Sequence, residues 1–267
     1  MSPTSTKKDF MENQRKVAVV TGSATGVGAA TCLQLAENGW NVVINYSKSA
    51  GEAEKTAESC RKLGAEVLVC QANVAQDEDC RALVAQTVEK WGRIDALVNN
   101  AGTTQFCSYA DLEGLTKEDF LSLYEVNVVG AYQVTRAAVP YLKKAADGAI
   151  VNTSSISAIS GVGSSIAYAS SKGALSTMTL SLAHALAPDI RVNAVCPGFI
   201  QGRWTKHFLG EQYDAVNEII SKASLLGRTT VPADIANSIV FLIEKAGMMT
   251  GQILTVDGGK LVNESVF

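Results

Sequence analysis

Ser155, Tyr168, Lys172 and Asn127 lie downstream of the glycine-rich segment Thr21-Gly22-Ser23-Ala24-Thr25-Gly26-Val27-Gly28. Together they suit the movement of a hydride and a proton between a nicotinamide and a carbonyl. Tyr168 and Lys172 are four residues apart in a helical stretch, so phenol and ammonium share one face. A neighbouring cation favours the phenolate and is expected to draw the tyrosine pKa from about 10 toward the working pH, where it can give or take a proton. Ser155 follows a strand and can hold a carbonyl oxygen. Asn127, in the preceding helix, can order a water or fix backbone geometry. Singly, each is an ordinary polar residue; their order and spacing carry the reading.

These residues need a frame to hold them. Lys16–Thr21 is a short β-branched run that ends at glycine, and Val27–Asn38 repeats apolar residues at helical intervals. The alternation continues with strands over 41–46, 66–71, 95–99, 149–153, 190–195 and 252–256. Helices are expected over 51–63, 77–91, 117–145, 164–187 and 232–243. Gly39, Gly64 and Gly92 mark helix ends that call for a left-handed cap residue. This pattern predicts an α/β chain with a single-domain, doubly wound parallel sheet of about seven strands and helices on both faces. Residues 1–15 are expected to be a disordered tail, and residues 16–267 the catalytic domain. The regular pattern breaks for about thirty residues after Pro197, long enough to suggest a substrate lid over about 199–230.

Gly22, Gly26 and Gly28 follow the first strand and open a helix, a setting in which backbone N–H groups approach a pyrophosphate. The spacing is G-x-x-x-G-x-G, so the G-x-G-x-x-G fingerprint is matched in logic and missed in letter. A glycine turn without a ligand is the bland alternative. A second turn, Asn99-Asn100-Ala101-Gly102, falls at the end of the fourth strand, where open α/β sheets bind ligands.

In the 267 residues, 47% are hydrophobic and 18% charged, and the net charge of -3 supplies no field for nucleic acid. The six cysteines are scattered without a C-x-x-C pair, and only His184 and His207 are present, so no metal site is expected. No signal-peptide pattern and no run of eighteen apolar residues occurs, which points to a cytoplasmic protein without a membrane partner.

At this point the chain resembles the short-chain dehydrogenase/reductase family from Lys16 to Gly259. The T-G-x-x-x-G-x-G turn, N-N-A-G, Asn127, Ser155, Tyr168-x-x-x-Lys172 and Pro197-Gly198 all appear in the family's order. The interval from Ser155 to Tyr168 fits the family and selects Ser155 over Ser154. The resemblance implies that Tyr168 is the general acid in reduction, Lys172 lowers its pKa and binds the nicotinamide ribose, Ser155 orients the carbonyl, and Asn127 supports a proton relay. It also implies cofactor contacts from Gly22, Thr25, Gly26, Val27 and Gly28, from Asn45, Tyr46, Ser47 and Lys48, from Asn73, Val74, Asn100, Ala101 and Gly102, and from Tyr168, Lys172, Pro197, Gly198 and Ile200. A homotetramer built through the two long helices and the last strand is implied as well.

An NAD enzyme of this fold usually ends its second strand with an acid for the ribose 2′-hydroxyl. Here the strand ends Asn45-Tyr46-Ser47-Lys48, so NADP(H) is favoured over NAD(H), with Ser47 and Lys48 facing a 2′-phosphate. Many NADP-dependent relatives also carry a basic residue where this chain has Thr25, and relatives in general often have, where it has Gly202, a threonine that contacts the carboxamide. Lys48 as a solvated surface charge is the competing reading. Phe199, Trp204, Phe208 and Tyr213, interleaved with Arg203, Lys206 and His207, would suit an apolar or aryl ketone or an acyl chain, or would anchor the lid. The favoured function is ketone reduction. The alternatives are 3-oxoacyl-carrier-protein reduction and NAD-dependent sugar or polyol oxidation. A non-catalytic dinucleotide-binding regulator is the rival from another class, and it would be expected to lose Tyr168 or Lys172.

Overall fold

The computed structural model describes residues 15–263. Its first strand, β1 (Val17–Val20), has all four side chains buried, as a strand covered on both faces must. The chain then alternates: α1 (Gly26–Glu37), β2 (Asn41–Tyr46), α2 (Ala50–Lys62), β3 (Val67–Gln71), α3 (Asp77–Trp91) and β4 (Ala96–Asn99). After β4 come α4 (Lys117–Tyr124), α5 (Ala131–Leu142), β5 (Gly148–Thr153), the short α6 (Ser157–Ser160), α7 (Ile166–Leu186) and β6 (Ile190–Pro197). The segment beyond β6 forms α8 (Arg203–Leu209) and α9 (Tyr213–Ala223), and α10 (Pro232–Glu244) leads into β7 (Ile253–Val256).

The seven strands form one sheet in the order β3-β2-β1-β4-β5-β6-β7, and all six pairings are parallel. Two apolar layers follow, as the alternation predicts. Val20, Leu35, Ile44, Val98, Ile235 and Ile239 pack on one face, and Val19, Leu83, Leu97, Val134, Ile150 and Val192 on the other. The strand order reverses between β1 and β4, which leaves a crevice at their carboxyl ends.

Gly39, Gly64 and Gly92 adopt the left-handed backbone expected of them, with φ of +86°, +84° and +71°. The tail over 1–15 lies outside the described residues except for Arg15, whose guanidinium donates to the carbonyl of Gly64.

Two expectations need correction. The helix expected over 117–145 is continuous in direction, but a π-helical segment, Glu125–Gly130, separates α4 from α5. The extra residue per turn re-aims Asn127 at the loop after β4, and it brings Gly130 so close to β3's end that an added Cβ would lie 2.8 Å from Val74 Cγ2. The region after Pro197 is also more regular than its sequence suggests. Helix α8 buries no residue and α9 fully buries only Tyr213, so neither packs into the core as the sheet-covering helices do. The spacing of Tyr213, Val216, Ile220 and Ala223 was the available signal for α9.

Candidate active site

The glycine turn is fixed from three sides. Asn45 Oδ1, buried at the end of β2, accepts from the N–H of Gly22 at 3.0 Å, while its Nδ2 donates to the carbonyl of Ala72 at 3.0 Å. Asn100 Nδ2 donates to the carbonyls of Thr21 and Gly22 at 2.9 and 3.0 Å. Thr21 Oγ1 accepts from the N–H groups of Asn100 and Ala101, both at 3.0 Å, and so joins the two turns at the switch point. Asn45, expected to contact the cofactor, and Thr21, the first residue of the glycine-rich segment, therefore both brace the turn within the protein.

Whether this turn fits a dinucleotide can be judged from its glycines. A Cβ on Gly22 would lie 2.8 Å from the backbone of Ala101, and one on Gly28 would lie 2.7 Å from Asn100 Nδ2 and from the Ser23 Cα. At Gly26, with φ of +62°, a Cβ would meet nothing within 4 Å. The turn is closed against the protein on one side and open on the other. Thr25 caps α1 without a side-chain hydrogen bond, which leaves the helix N-terminus free for an anion. The residues present fit a pyrophosphate.

The other cofactor residues divide. Ser47 and Lys48 are exposed at the end of β2. Asn73 is exposed: its side-chain Oδ1 accepts from the N–H of Ala75 at 3.2 Å, while its backbone N–H donates to Asp79 Oδ2 at 2.8 Å. Val74 is buried under Gly130, and its carbonyl accepts from Gln133 Nε2 at 2.9 Å. The backbone N–H of Gly198 donates to the carbonyl of Val256 at 2.9 Å, and its Cα approaches Asp257 so closely that a Cβ would lie 2.9 Å from the Asp257 Cβ. Ile200 forms an isolated bridge with Thr230.

Beyond the turn, β5 and α7 bring Ser155, Tyr168 and Lys172 together. Ser165 caps α7, accepting from the N–H of Tyr168 at 3.1 Å, so Tyr168 stands in the first turn and Lys172 one turn below. Tyr168 is half-buried and hydrogen-bonded with Ser155, and the Lys172 Nζ lies 5.8 Å from its ring centre. Lys172 is 4% exposed and donates to the carbonyl of Thr153 at 2.8 Å. A Cβ on Gly102 would lie 3.3 Å from Asn127 Oδ1 and 3.4 Å from Lys172 Nζ, so the Asn100-Ala101-Gly102 turn belongs to the same cluster.

Asn127 grips the loop after β4 at both ends of one residue. Its Oδ1 accepts from the N–H of Thr103 at 2.8 Å, and its Nδ2 donates to the Thr103 carbonyl and to Ser171 Oγ, each at 3.0 Å. The two adjacent serines at the end of β5 have different work. Ser154 Oγ donates to the backbone carbonyl of Lys172 at 3.0 Å and meets Ser176 Oγ at 2.8 Å, away from the crevice. Ser155 Oγ faces Tyr168 and is held by Ser157, whose N–H it accepts at 3.1 Å.

The electrostatics of this pocket differ from the expectation for Tyr168. Burial pushes its pKa up to about 12, with the Ser155 hydrogen bond opposing and Cys196 adding slightly. Burial also pulls Lys172 down to about 8, a tendency that Cys196 opposes. The Lys172 amine is aimed at the Thr153 carbonyl, and burial dominates the shift at Tyr168. Tyr168 is thus a neutral phenol at pH 7, the form that donates a proton.

Phe106, from the loop after β4, meets Phe208 of α8 with ring centres 5.0 Å apart, and Trp204 sits edge-on to Phe208 at 5.4 Å. An open cavity of about 780 Å³ lies beside α8, between Arg203, Lys206, His207, Tyr213 and Val231. Ser155, Tyr168, Lys172 and Asn127 do not line it. Among the described residues no group of side chains could hold a metal ion, and no helix is long and apolar enough to cross a membrane.

Residues 22–260 match the family model described as enoyl-(acyl carrier protein) reductase. The chain belongs to the short-chain dehydrogenase/reductase family. It is 40% identical over 243 residues to a protein of Streptomyces violaceoruber named as ketoacyl reductase 2 of the granaticin polyketide synthase, covering 91% of this chain and 95% of that one. It is 34% identical over 250 residues to the 3-oxoacyl-[acyl-carrier-protein] reductase of Staphylococcus aureus, with 91% and 97% covered. A solved short-chain dehydrogenase/reductase from Burkholderia xenovorans superposes with a TM-score of 0.88 at 40% identity, over 94% of this chain and 99% of that one. An NAD+-bound xylitol dehydrogenase superposes with a TM-score of 0.84 at 30% identity, over 91% and 98%. This short-chain dehydrogenase/reductase is an oxidoreductase acting between a ketone and an alcohol, and it uses a nicotinamide dinucleotide.

Proposed function

We propose that the chain is an NADP(H)-dependent ketone reductase in which Tyr168 gives the proton. The observation that carries this is the pairing of a neutral phenol with Ser155 at the carboxyl end of β5, above a buried lysine. A bound nicotinamide supplies the hydride. The Ser155 hydroxyl turns from Ser157 to the carbonyl oxygen of the substrate and fixes its direction. Tyr168 Oη donates its proton to that oxygen as negative charge develops there. The Lys172 ammonium holds the nicotinamide ribose and stabilises the phenolate that is left. Asn127 keeps the loop at Thr103 in register beside Lys172, where a water can return the proton. Run backward, the same groups oxidise an alcohol.

The absence of a carboxylate at the end of β2, with Ser47 and Lys48 exposed there, supports NADP(H). The aromatic contact between Phe106 and Phe208 supports a lid over 199–230 and an aryl or acyl-chain ketone, a class that includes carrier-bound 3-oxoacyl groups. A homotetramer is supported by apolar side chains left exposed on the long helices, among them Leu121, Val129, Tyr132 and Leu180. We assign the protein to the cytoplasm as one 16–267 domain. The NAD-dependent polyol dehydrogenase reading is retained as an alternative, because the superposed xylitol dehydrogenase has NAD+ bound.

Fluorescence titration with NADPH and NADH tests the cofactor assignment. Tighter binding of NADPH, weakened by Lys48→Ala, is the expected result. Equal or tighter NADH binding would turn the search toward alcohols and sugars.

A further inference from the structure

Arg203 opens α8, on the segment after β6, yet its guanidinium reaches the far side of the crevice. Its Nη1 donates to Glu52 Oε1 at 2.6 Å, and its Nη2 to Thr25 Oγ1 at 3.4 Å. Thr25 immediately precedes Gly26 of the turn, and Glu52 stands in the first turn of α2, just beyond Lys48. One cation therefore bridges the glycine turn and the element after β2, between which the adenosine ribose of a dinucleotide lies in a sheet of this order. The turn itself has threonine and no base.

We infer that Arg203 binds the 2′-phosphate of the cofactor, bringing from the segment after β6 the fixed cation that the turn lacks. The inference rests on the NADP(H) reading above. Both partners of the existing ion pair are substantially exposed, Arg203 at 57% and Glu52 at 40%, so the pair is screened by water and weakly held. A phosphate offers the guanidinium two charged oxygens in a geometry that it matches bidentately, and it wins that exchange. The guanidinium also neutralises Glu52, which would otherwise repel the phosphate. A consequence for dynamics follows: a bound 2′-phosphate ties the start of α8 to the cofactor, so loading the cofactor holds this segment against the turn.

The test is equilibrium titration of the wild-type protein, Arg203→Ala, Arg203→Ala/Glu52→Gln and Lys48→Ala with NADPH, NADH, 2′,5′-ADP and 5′-ADP. In Arg203→Ala, affinity for NADPH and 2′,5′-ADP is expected to fall about ten- to a hundredfold, as for loss of a hydrogen bond to a charged group. NADH and 5′-ADP, which lack the 2′-phosphate, should bind as before and report that the site is intact. The double variant should recover part of the NADPH loss, because the exposed carboxylate has gone. Equal weakening of NADPH and NADH would move the contact to the pyrophosphate and overturn the inference. So would an NADPH preference that survives Arg203→Ala and is removed by Lys48→Ala, with the NADP(H) reading then intact. A wild-type protein without any NADPH preference would defeat that reading, and this inference with it.

Discussion

Lys172 Nζ donates to the carbonyl oxygen of Thr153 at 2.8 Å, joining the second turn of α7 to the last residue of β5 across the crevice. The bond aims a 4% exposed amine at a backbone acceptor and keeps it one turn below Tyr168. A hydrogen-bonded cation in such a place still loses hydration, and burial sets its pKa at about 8, against 10.5 for a free lysine.

That depression has a consequence for stability. Between pH 8 and 10.5 the unfolded chain holds a proton at this lysine that the folded protein has released, so unfolding becomes harder as pH rises through the window. At about 1.4 kcal/mol per pH unit the gain is on the order of 3 kcal/mol. Urea denaturation of wild-type and Lys172→Met proteins across this range should give curves that differ most below pH 8, where the variant is the more stable, and converge above. Parallel curves would show that Lys172 is not desolvated.

The two serines after β5 should separate cleanly. Ser155→Ala removes the group facing Tyr168 and is expected to lower turnover about a hundredfold while leaving the melting temperature nearly unchanged. Ser154→Ala breaks hydrogen bonds to Lys172 and Ser176 in the protein frame, so it should cost about 1 kcal/mol of stability and little turnover. Thermal unfolding and steady-state rates on both variants check this. A larger loss of turnover in Ser154→Ala would reverse the assignment.

Much of this was legible in the chain. The strand and helix alternation fixed the sheet because buried parallel strands read as unbroken apolar runs such as VAVV and NVVIN. That Ser155, Tyr168, Lys172 and Asn127 come together was legible because a turn of helix and a strand end are local rules. The π-helical segment at Glu125–Gly130 was not, since no residue in EVNVVG marks a departure from α-helical winding. The bonds of Asn45 to Gly22 and Ala72 were not legible, because position in a strand says where a side chain stands, not what it is bonded to. Arg203 was read only as part of the lid for a related reason: its partners, Thr25 and Glu52, are more than 150 residues distant in sequence. The raised Tyr168 pKa reflects burial, which the Tyr-x-x-x-Lys spacing does not encode.

The glycines of the turn make opposite predictions. Gly28→Ala would push a methyl into Asn100 and Ser23, and should cost about 1–3 kcal/mol of stability together with cofactor affinity. Gly26→Ala meets no protein atom, so its cost is backbone strain at φ of +62°, about 1–2 kcal/mol, plus a methyl directed into the space left open for the ligand. Calorimetry with and without cofactor separates the two. Undiminished cofactor binding in Gly26→Ala would place the phosphates elsewhere.

The most direct test of the account is NADPH consumption with an aryl ketone or a 3-oxoacyl thioester, measured for wild-type and Tyr168→Phe proteins alongside their NADPH affinities. Wild type should oxidise NADPH in step with ketone reduction, and Tyr168→Phe should bind NADPH equally well but turn over at least about a thousandfold more slowly. Comparable turnover by Tyr168→Phe would contradict it, because the proton would then come from another group.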